Sequence, residues 1–214
     1  MLKFDIPFLI WYNCSKYILE SRDNLKQKFY EYLNSVQRDG IDKLIKWIQK
    51  TDFETAPSSA RYHGNYEGGL CNHSVLVYEL LKEKCDYWRI KNPNIFIPDD
   101  DSIKLIALCH DLCKINFYTK GTRNVKENDV WVKKEVYEIS DAFPVGHGSK
   151  SVIILQNFVK LKDYEIMSII HHMGVPNDYV ESQSFHKSLE LYPFVILLHT
   201  SDFEASILLE EVKK

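Results

Sequence analysis

Ile103-Lys-Leu-Ile-Ala-Leu-Cys-His110-Asp111-Leu-Cys-Lys114 is an apolar helical run that carries an imidazole and a carboxylate side by side near its end. Lone buried groups of this kind are costly unless they are paired or bound to a metal. Just upstream, Asp99-Asp100-Asp101-Ser102 makes a helix start, because carboxylates favour the positive end of the dipole and Asp or Ser can cap it. The spacing predicts a helix from Ile103 to about Lys114.

Outward from this stretch, most of the chain also reads as helix. Asn24 to Gln37 carries Leu25, Phe29, Tyr32, Leu33 and Val36 on one face, and Ile41 to Ile48 is a second short helix. Phe53 to Gly69, with Pro57, Gly64 and Gly68-Gly69, is a loop. Helical spacing resumes over Leu70 to Trp88, Gly148 to Lys160, Asp163 to His172 and Leu191 to Glu211. Phe117 to Ile139 differs. It is rich in β-formers (Tyr118, Val125, Val130, Trp131, Val132, Val136, Tyr137), with Glu127-Asn128-Asp129 between two runs, and predicts a β-hairpin inserted between helices. The expected fold is mainly α, a helical bundle with one hairpin at about 117–139. Residues 1–50 form a helical extension and 51–214 the main domain. Ile6 to Tyr12 reads as a short extra element.

Composition excludes several classes. At 214 residues, with 45% hydrophobic and 27% charged residues, the chain resembles an ordinary globular domain rather than a disordered one. A net charge of -3 argues against a surface that coats nucleic acid, though not against a nucleic-acid substrate held in a cleft. Cys14, Cys71, Cys85, Cys109 and Cys113 contain no CxxC pair and read as small buried residues in a reducing cytoplasm. Ile6 to Tyr12 is too short to span a bilayer and lacks the flanks of a signal peptide. A cytoplasmic location is therefore expected, without membrane association.

A single His on an apolar helix is most often a hydrogen-bonded core residue. Here His73, His110-Asp111, His147, His171-His172 and Asp202 all lie at or within apolar helical segments, and so many together are harder to explain as packing. Imidazole suits Fe, Mn, Co, Ni and Zn, and a carboxylate can bridge two ions.

The ordered set resembles the HD-domain superfamily of metal-dependent phosphohydrolases. The likeness rests on Glu67-Gly-Gly-Leu-Cys-Asn-His73-Ser74, Leu108-Cys-His110-Asp111-Leu-Cys-Lys114, His171-His172-Met-Gly and Leu198-His-Thr-Ser-Asp202. The Gly-Gly-Leu-x-x-His-Ser piece is most similar to the HD domains of YhaM-type 3′-5′ exoribonucleases and of small stand-alone phage and clostridial HD proteins. The resemblance implies that His73, His110, Asp111 and Asp202 hold a first divalent ion. It implies that Asp111 bridges to a second held by His147 and His171, and that His172 touches a metal or the substrate phosphate. Two transition-metal ions (Mn, Fe, Ni, Co or Zn) about 3.5–4 Å apart can share a hydroxide that attacks phosphorus.

Lys114 is then expected to neutralise phosphate charge during the reaction, alongside Asp111 as the catalytic pair. Arg61 and His63, on the loop before Gly68-Gly69, are candidate substrate contacts, with Lys120 and Arg123 on the hairpin weaker ones. Tyr62, Tyr66, Phe117, Tyr118 and Trp131 can stack on a base or simply pack. The implied partner is a phosphorylated small molecule or short nucleic acid, and the implied activity is phosphodiesterase or phosphomonoesterase. Two alternatives remain. One is a 3′-5′ exoribonuclease acting on RNA, although this chain has no room for the OB-fold that helps such enzymes hold RNA. The other is a non-catalytic nucleotide-binding module, which predicts missing ligands, whereas none is missing. A di-iron oxygenase shares the His/Asp arrangement but not Lys114 or the loop.

Overall fold

The computed structural model describes residues 22–127, 129–175 and 178–210. Ile6 to Tyr12 and Cys14 lie outside the described residues. Eight α-helices and one antiparallel hairpin make up the regular structure of the described residues: α1 Arg22–Asn34, α2 Ile41–Ile48, α3 Gly69–Lys91, α4 Asp100–Cys109, β1 Tyr118–Glu127, β2 Val130–Ile139, α5 His147–Gln156, α6 Asp163–Ile170, α7 Tyr179–Leu191 and α8 Val195–Glu204. A 3-10 turn, Leu112–Lys114, follows α4, and a π turn, Ala205–Leu209, follows α8. The expected architecture, mainly α with an inserted hairpin, is the one observed.

α3 is the central element. From Gly69 to Tyr78 every residue is buried, as befits a helix surrounded by protein, and beyond Tyr78 only Leu81 and Cys85 remain buried. It packs against α1, α4 and α8, while α5 packs on α6. Phe29, Leu33, Leu44, Ile48, Phe53, Leu70, Leu81, Ile103, Ile106 and Leu108 are fully buried in one continuous core. Each such side chain contributes roughly 1.5–3 kcal/mol relative to exposure. α1 and α2 are thus part of the core that α3 and α4 build.

α4 starts where the acidic run predicts. The Asp99 carboxylate accepts from the Ser102 amide at 2.8 Å, and Asp100 and Asp101 occupy the first turn. The α-helix ends earlier than expected, at Cys109. His110 is its cap, and Asp111 (φ -108°, ψ 21°) turns the chain into the 3-10 segment that carries Lys114. The hairpin pairs Tyr118 with Ile139 and Glu127 with Val130, so its connection is two residues long. Asp129 there has φ 65°, a left-handed conformation that Asp tolerates.

One expectation fails. The C-terminal region is not a single helix from Leu191 to Glu211. α7 occupies Tyr179–Leu191, capped by Asp178, whose carboxylate accepts from the amides of Val180 and Glu181. The chain then leaves helical geometry at Tyr192 (φ -135°, ψ 75°), because a residue before proline avoids the α region, and α8 begins after Pro193. The four described cysteines, Cys71, Cys85, Cys109 and Cys113, are buried and unpaired. No described helix is long and apolar enough to cross a membrane.

Candidate metal centre and substrate cleft

Four segments deliver side chains to one buried point. His73 lies one turn into α3, whose start requires glycine twice. Gly68 has φ 85°, and a Cβ on Gly69 would stand 2.0 Å from the Gly64 carbonyl oxygen. His110 and Asp111 end α4, His172 follows α6, and Asp202 lies on α8. His73 Nε2 stands 3.0 Å from Asp202 Oδ1, 3.5 Å from Asp111 Oδ2 and 3.3 Å from His110 Nε2. His110 Nε2 is 3.4 Å from Asp111 Oδ2 and 3.9 Å from Asp202 Oδ1. His172 Nε2 is 3.6 Å from Asp111 Oδ1. The three imidazoles are fully buried.

The far side of each ring is tied down. His110 Nδ1 donates to the Ala107 carbonyl and His172 Nδ1 to the Ile169 carbonyl, both at 2.7 Å. A carbonyl only accepts, so these protons sit on Nδ1 and the Nε2 lone pairs point into the cluster. His73 Nδ1 faces the Glu210 carboxylate at 2.5 Å. Glu210 has no counterpart in the sequence reasoning. It is 137 residues from His73, and no local pattern links them.

The electrostatics favour positive charge at this point. Burial pushes the Asp111 carboxyl up, but Lys114 and His110 outweigh it and hold the group well below its usual range. Burial likewise opposes ionisation of Asp202, and His73 overcomes it by hydrogen bond and charge. Burial lowers His73, yet the charge of Glu210 and the hydrogen bond to Asp202 raise it to about 10. Burial also lowers His172, and Asp111 raises it.

These residues fit a divalent cation. Two imidazole nitrogens 3.3 Å apart need a proton or a cation between them. Ligands bound to one ion at roughly 2.0–2.2 Å stand about 3–3.5 Å from each other, close to the separations here. Among the described residues, the buried His172 Nε2 has no hydrogen-bond partner, and its lone pair suits a cation. His73, His110 and Asp111 form one group whose donor atoms lie within 4.8 Å of one another, and His110, His172 and Asp202 form a second.

The remaining expected residues are placed as follows. His171 and His147 join no such group among the described residues. The His171 ring lies edge-on to Phe185 of α7 with its Nε2 unpartnered, so of the adjacent pair it is His172 that α6 turns toward Asp111. His147 stands at the cleft mouth, 3.5 Å from Cys113 Sγ and beside Phe117. Gly148, next to it, lets α5 approach α6 so closely that a Cβ would stand 2.4 Å from the Ile170 carbonyl oxygen. The 3-10 turn brings Lys114 Nζ 2.6 Å from Asp111 Oδ2. His63 is half-buried, 3.3 Å from Glu210 Oε2.

Beside the cluster lies a cleft of about 740 Å³, within the range that holds small ligands. The 58–63 loop forms one wall with Arg61, Tyr62 and His63, the hairpin forms another with Tyr118, Arg123 and Tyr137, and Lys114, Phe117 and His147 complete the lining. Lys120 lies outside this cleft, near Glu67.

No curated protein and no solved structure matches the chain. The sequence model of the HD domain matches residues 70–187, which include His73, His110, Asp111, His147, His171 and His172 and stop short of Asp202. That match spans more than half of the chain, and with it the chain belongs to the HD-domain superfamily of metal-dependent phosphohydrolases.

Proposed function

We propose that the protein hydrolyses a phosphoester of a nucleotide or short oligonucleotide at this centre. The observation that carries the reading is the convergence of three anchored imidazoles and two carboxylates beside a cleft rimmed by cationic side chains. His73, His110, Asp111 and Asp202 hold the first ion in this reading. A second would be held between Asp111 and His172, with His147 and His171 the further donors that the family resemblance implies. A bound divalent cation supplies Lewis acidity toward water and toward a phosphoryl oxygen.

The chain's own residues do the rest. Asp111 presents Oδ2 to His73 and His110 and Oδ1 to His172, so it spans both halves of the cluster. Lys114 keeps Asp111 ionised and lies where negative charge grows on a transferring phosphoryl group. Arg61 and Arg123 approach the cleft from opposite walls as phosphate contacts. Phe117, Tyr118 and Tyr137 offer apolar surface for a base, and burial holds Tyr118 un-ionised with its hydroxyl pushed up to about 12. The bounded cleft and the negative net charge favour a small substrate over a long RNA. The unit carrying the site is taken as residues 51–214, with 1–50 an extension whose helices α1 and α2 share its core, and the setting as the cytoplasm.

The test is hydrolysis of a panel of nucleotides, cyclic dinucleotides and short RNAs by the Mn²⁺-loaded protein. Turnover of mononucleotides or dinucleotides, lost in Asp111→Ala, supports the reading. Processive shortening of RNA with no action on nucleotides supports the exoribonuclease instead. Nucleotide binding without turnover of any member supports the non-catalytic module.

A further inference from the structure

We propose that Glu210 is the positioning residue of His73, and that it couples that imidazole to the loop walling the cleft. The proposal rests on the reading of His73 as a metal donor.

The C-terminal segment grips His73 from both sides. Asp202, on α8, meets Nε2 at 3.0 Å, and Glu210, after the π turn, meets Nδ1 at 2.5 Å. The wide turn makes this possible. Its closing bond runs from the Glu210 amide to the Ala205 carbonyl at 3.1 Å, five residues back, and swings the chain so that the second carboxylate reaches the opposite ring nitrogen. The Glu210 side chain is fully buried, yet no Lys or Arg pairs with it among the described residues. A buried carboxylate is costly unless it is paired, and packing alone would be served by an apolar residue. What Glu210 touches instead is the site: His73, His63 Nδ1 at 3.3 Å and Ser58 Oγ at 3.3 Å.

His63, His73 and Glu210 also form a group whose donor atoms lie within 4.8 Å of one another, so a ligand role must be weighed. The faces of the ring argue against it: His73 Nε2 meets Asp202, Asp111 and His110, whereas Glu210 meets Nδ1 on the far side, where a hydrogen bond leaves Nε2 to the cluster. With the proton on Nδ1, Nε2 is left as the donor lone pair. A carboxylate behind a ligating imidazole fixes its tautomer and orientation and makes it more basic.

The second carboxylate oxygen extends the tie to the loop. Ser58 and Ser59 hydroxyls both bond the His63 carbonyl, at 2.9 and 2.8 Å, and the Ser58 amide bonds the Gly64 carbonyl at 3.0 Å. This small knot carries Arg61 and Tyr62 to the cleft. Glu210 therefore holds the metal donor and the substrate wall with one side chain.

The experiment uses the full chain as wild type, Glu210→Gln, Glu210→Asp and Glu210→Ala. Mn²⁺ and Co²⁺ affinity is measured by competition with a chelator, with metal equivalents at saturation and hydrogen exchange over residues 58–64. Glu210→Gln, which keeps shape and removes charge, is expected to bind the same number of ions with affinity weakened roughly 10–100-fold. Exchange over 58–64 should rise, and Glu210→Asp should recover part of both. Unchanged affinity in folded Glu210→Gln overturns the positioning role, and unchanged exchange overturns the coupling. Loss of a whole equivalent at saturation also overturns it, since Glu210 would then be a ligand. Should Glu210→Ala fail to fold, Glu210→Gln still decides. A wild-type protein that binds no metal overturns the metal-centre reading along with this one, whereas wild-type binding matched by Glu210→Gln overturns this one alone.

Discussion

Lys114 Nζ lies 2.6 Å from Asp111 Oδ2, the same oxygen that stands 3.5 Å from His73 Nε2 and 3.4 Å from His110 Nε2. The ammonium and a metal ion at this centre would thus draw on one carboxylate oxygen. Lys114→Met leaves Asp111 buried without its strongest partner, which costs about 3–5 kcal/mol when nothing replaces it. A bound divalent ion supplies that charge. The melting temperature of Lys114→Met should therefore fall much further below wild type in chelator than in Mn²⁺. Equal deficits in both conditions would show that the metal does not reach Asp111.

The chelator also probes wild type directly. A ligand that binds only the folded state stabilises it by about 2.7 kcal/mol at one hundred times its dissociation constant. EDTA should lower the wild-type melting temperature and leave that of Asp111→Ala unmoved. An EDTA shift of wild-type size in Asp111→Ala would remove Asp111 from the ligand set.

His171 and His172 separate by substitution. His172→Ala removes a buried donor aimed at Asp111, and metal affinity should fall by more than the roughly 10–100-fold of an outer partner. His171→Leu replaces an unpartnered buried nitrogen against Phe185, so stability should hold or rise with metal content unchanged. Calorimetric titration with Mn²⁺ decides. Equal losses in the two variants would restore His171 as a ligand.

Asp99 gives a test away from the site. Partial burial pushes its carboxyl up, but the Lys162 ammonium and the Ser102 amide hold it at about 2. A depressed carboxyl stabilises the fold at pH above its unfolded value, near 3.9, and that contribution is lost as pH falls through about 2. Asp99→Ala removes the helix cap and should cost about 1 kcal/mol at pH 7. Asp99→Asn keeps a capping oxygen, so it should cost less at pH 7 and show a shallower acid slope in urea unfolding. A slope identical to wild type would mean that Asp99 is not depressed.

Gly148→Ala places a methyl group against the Ile169 and Ile170 carbonyls. The clash is with backbone, so α5 must move off α6, at a cost of roughly 1–3 kcal/mol or more. Because His172 follows α6, metal affinity should weaken too. A variant as stable as wild type would mean the two helices slide freely.

The sequence was most legible where a single element carries its own signal. The acidic start of α4, the apolar run to Cys109 and the hairpin about residues 128–129 are local patterns, and the structure follows them. α7 went unread because only Phe185 and Ser188 of its residues are buried, so it has almost no apolar stripe. Its signature was the Asp178 cap with Glu181 three residues on. The early end of α4 at Cys109, which sets Lys114 on a 3-10 turn, was not legible in an apolar run that continues to Cys113. Between His171 and His172, successive residues at a helix end point in different directions, and the docking of α6 on α5 selects the inner one. Glu210 meets His73 only through tertiary structure.

Among the described residues, the hairpin contributes no side chain to the core. Val130, Trp131 and Ile139 are exposed, and residues 118–139 hold together mainly by their own ladder. What this ribbon lends the molecule is a boundary, not rigidity. Residues along it can change with little consequence for folding, while the helices that aim the imidazoles tolerate almost nothing. Arg123 and Tyr137, which border the cleft from this ribbon, therefore stand apart from the core that positions the imidazoles, unlike the 58–63 wall, which Glu210 ties to His73.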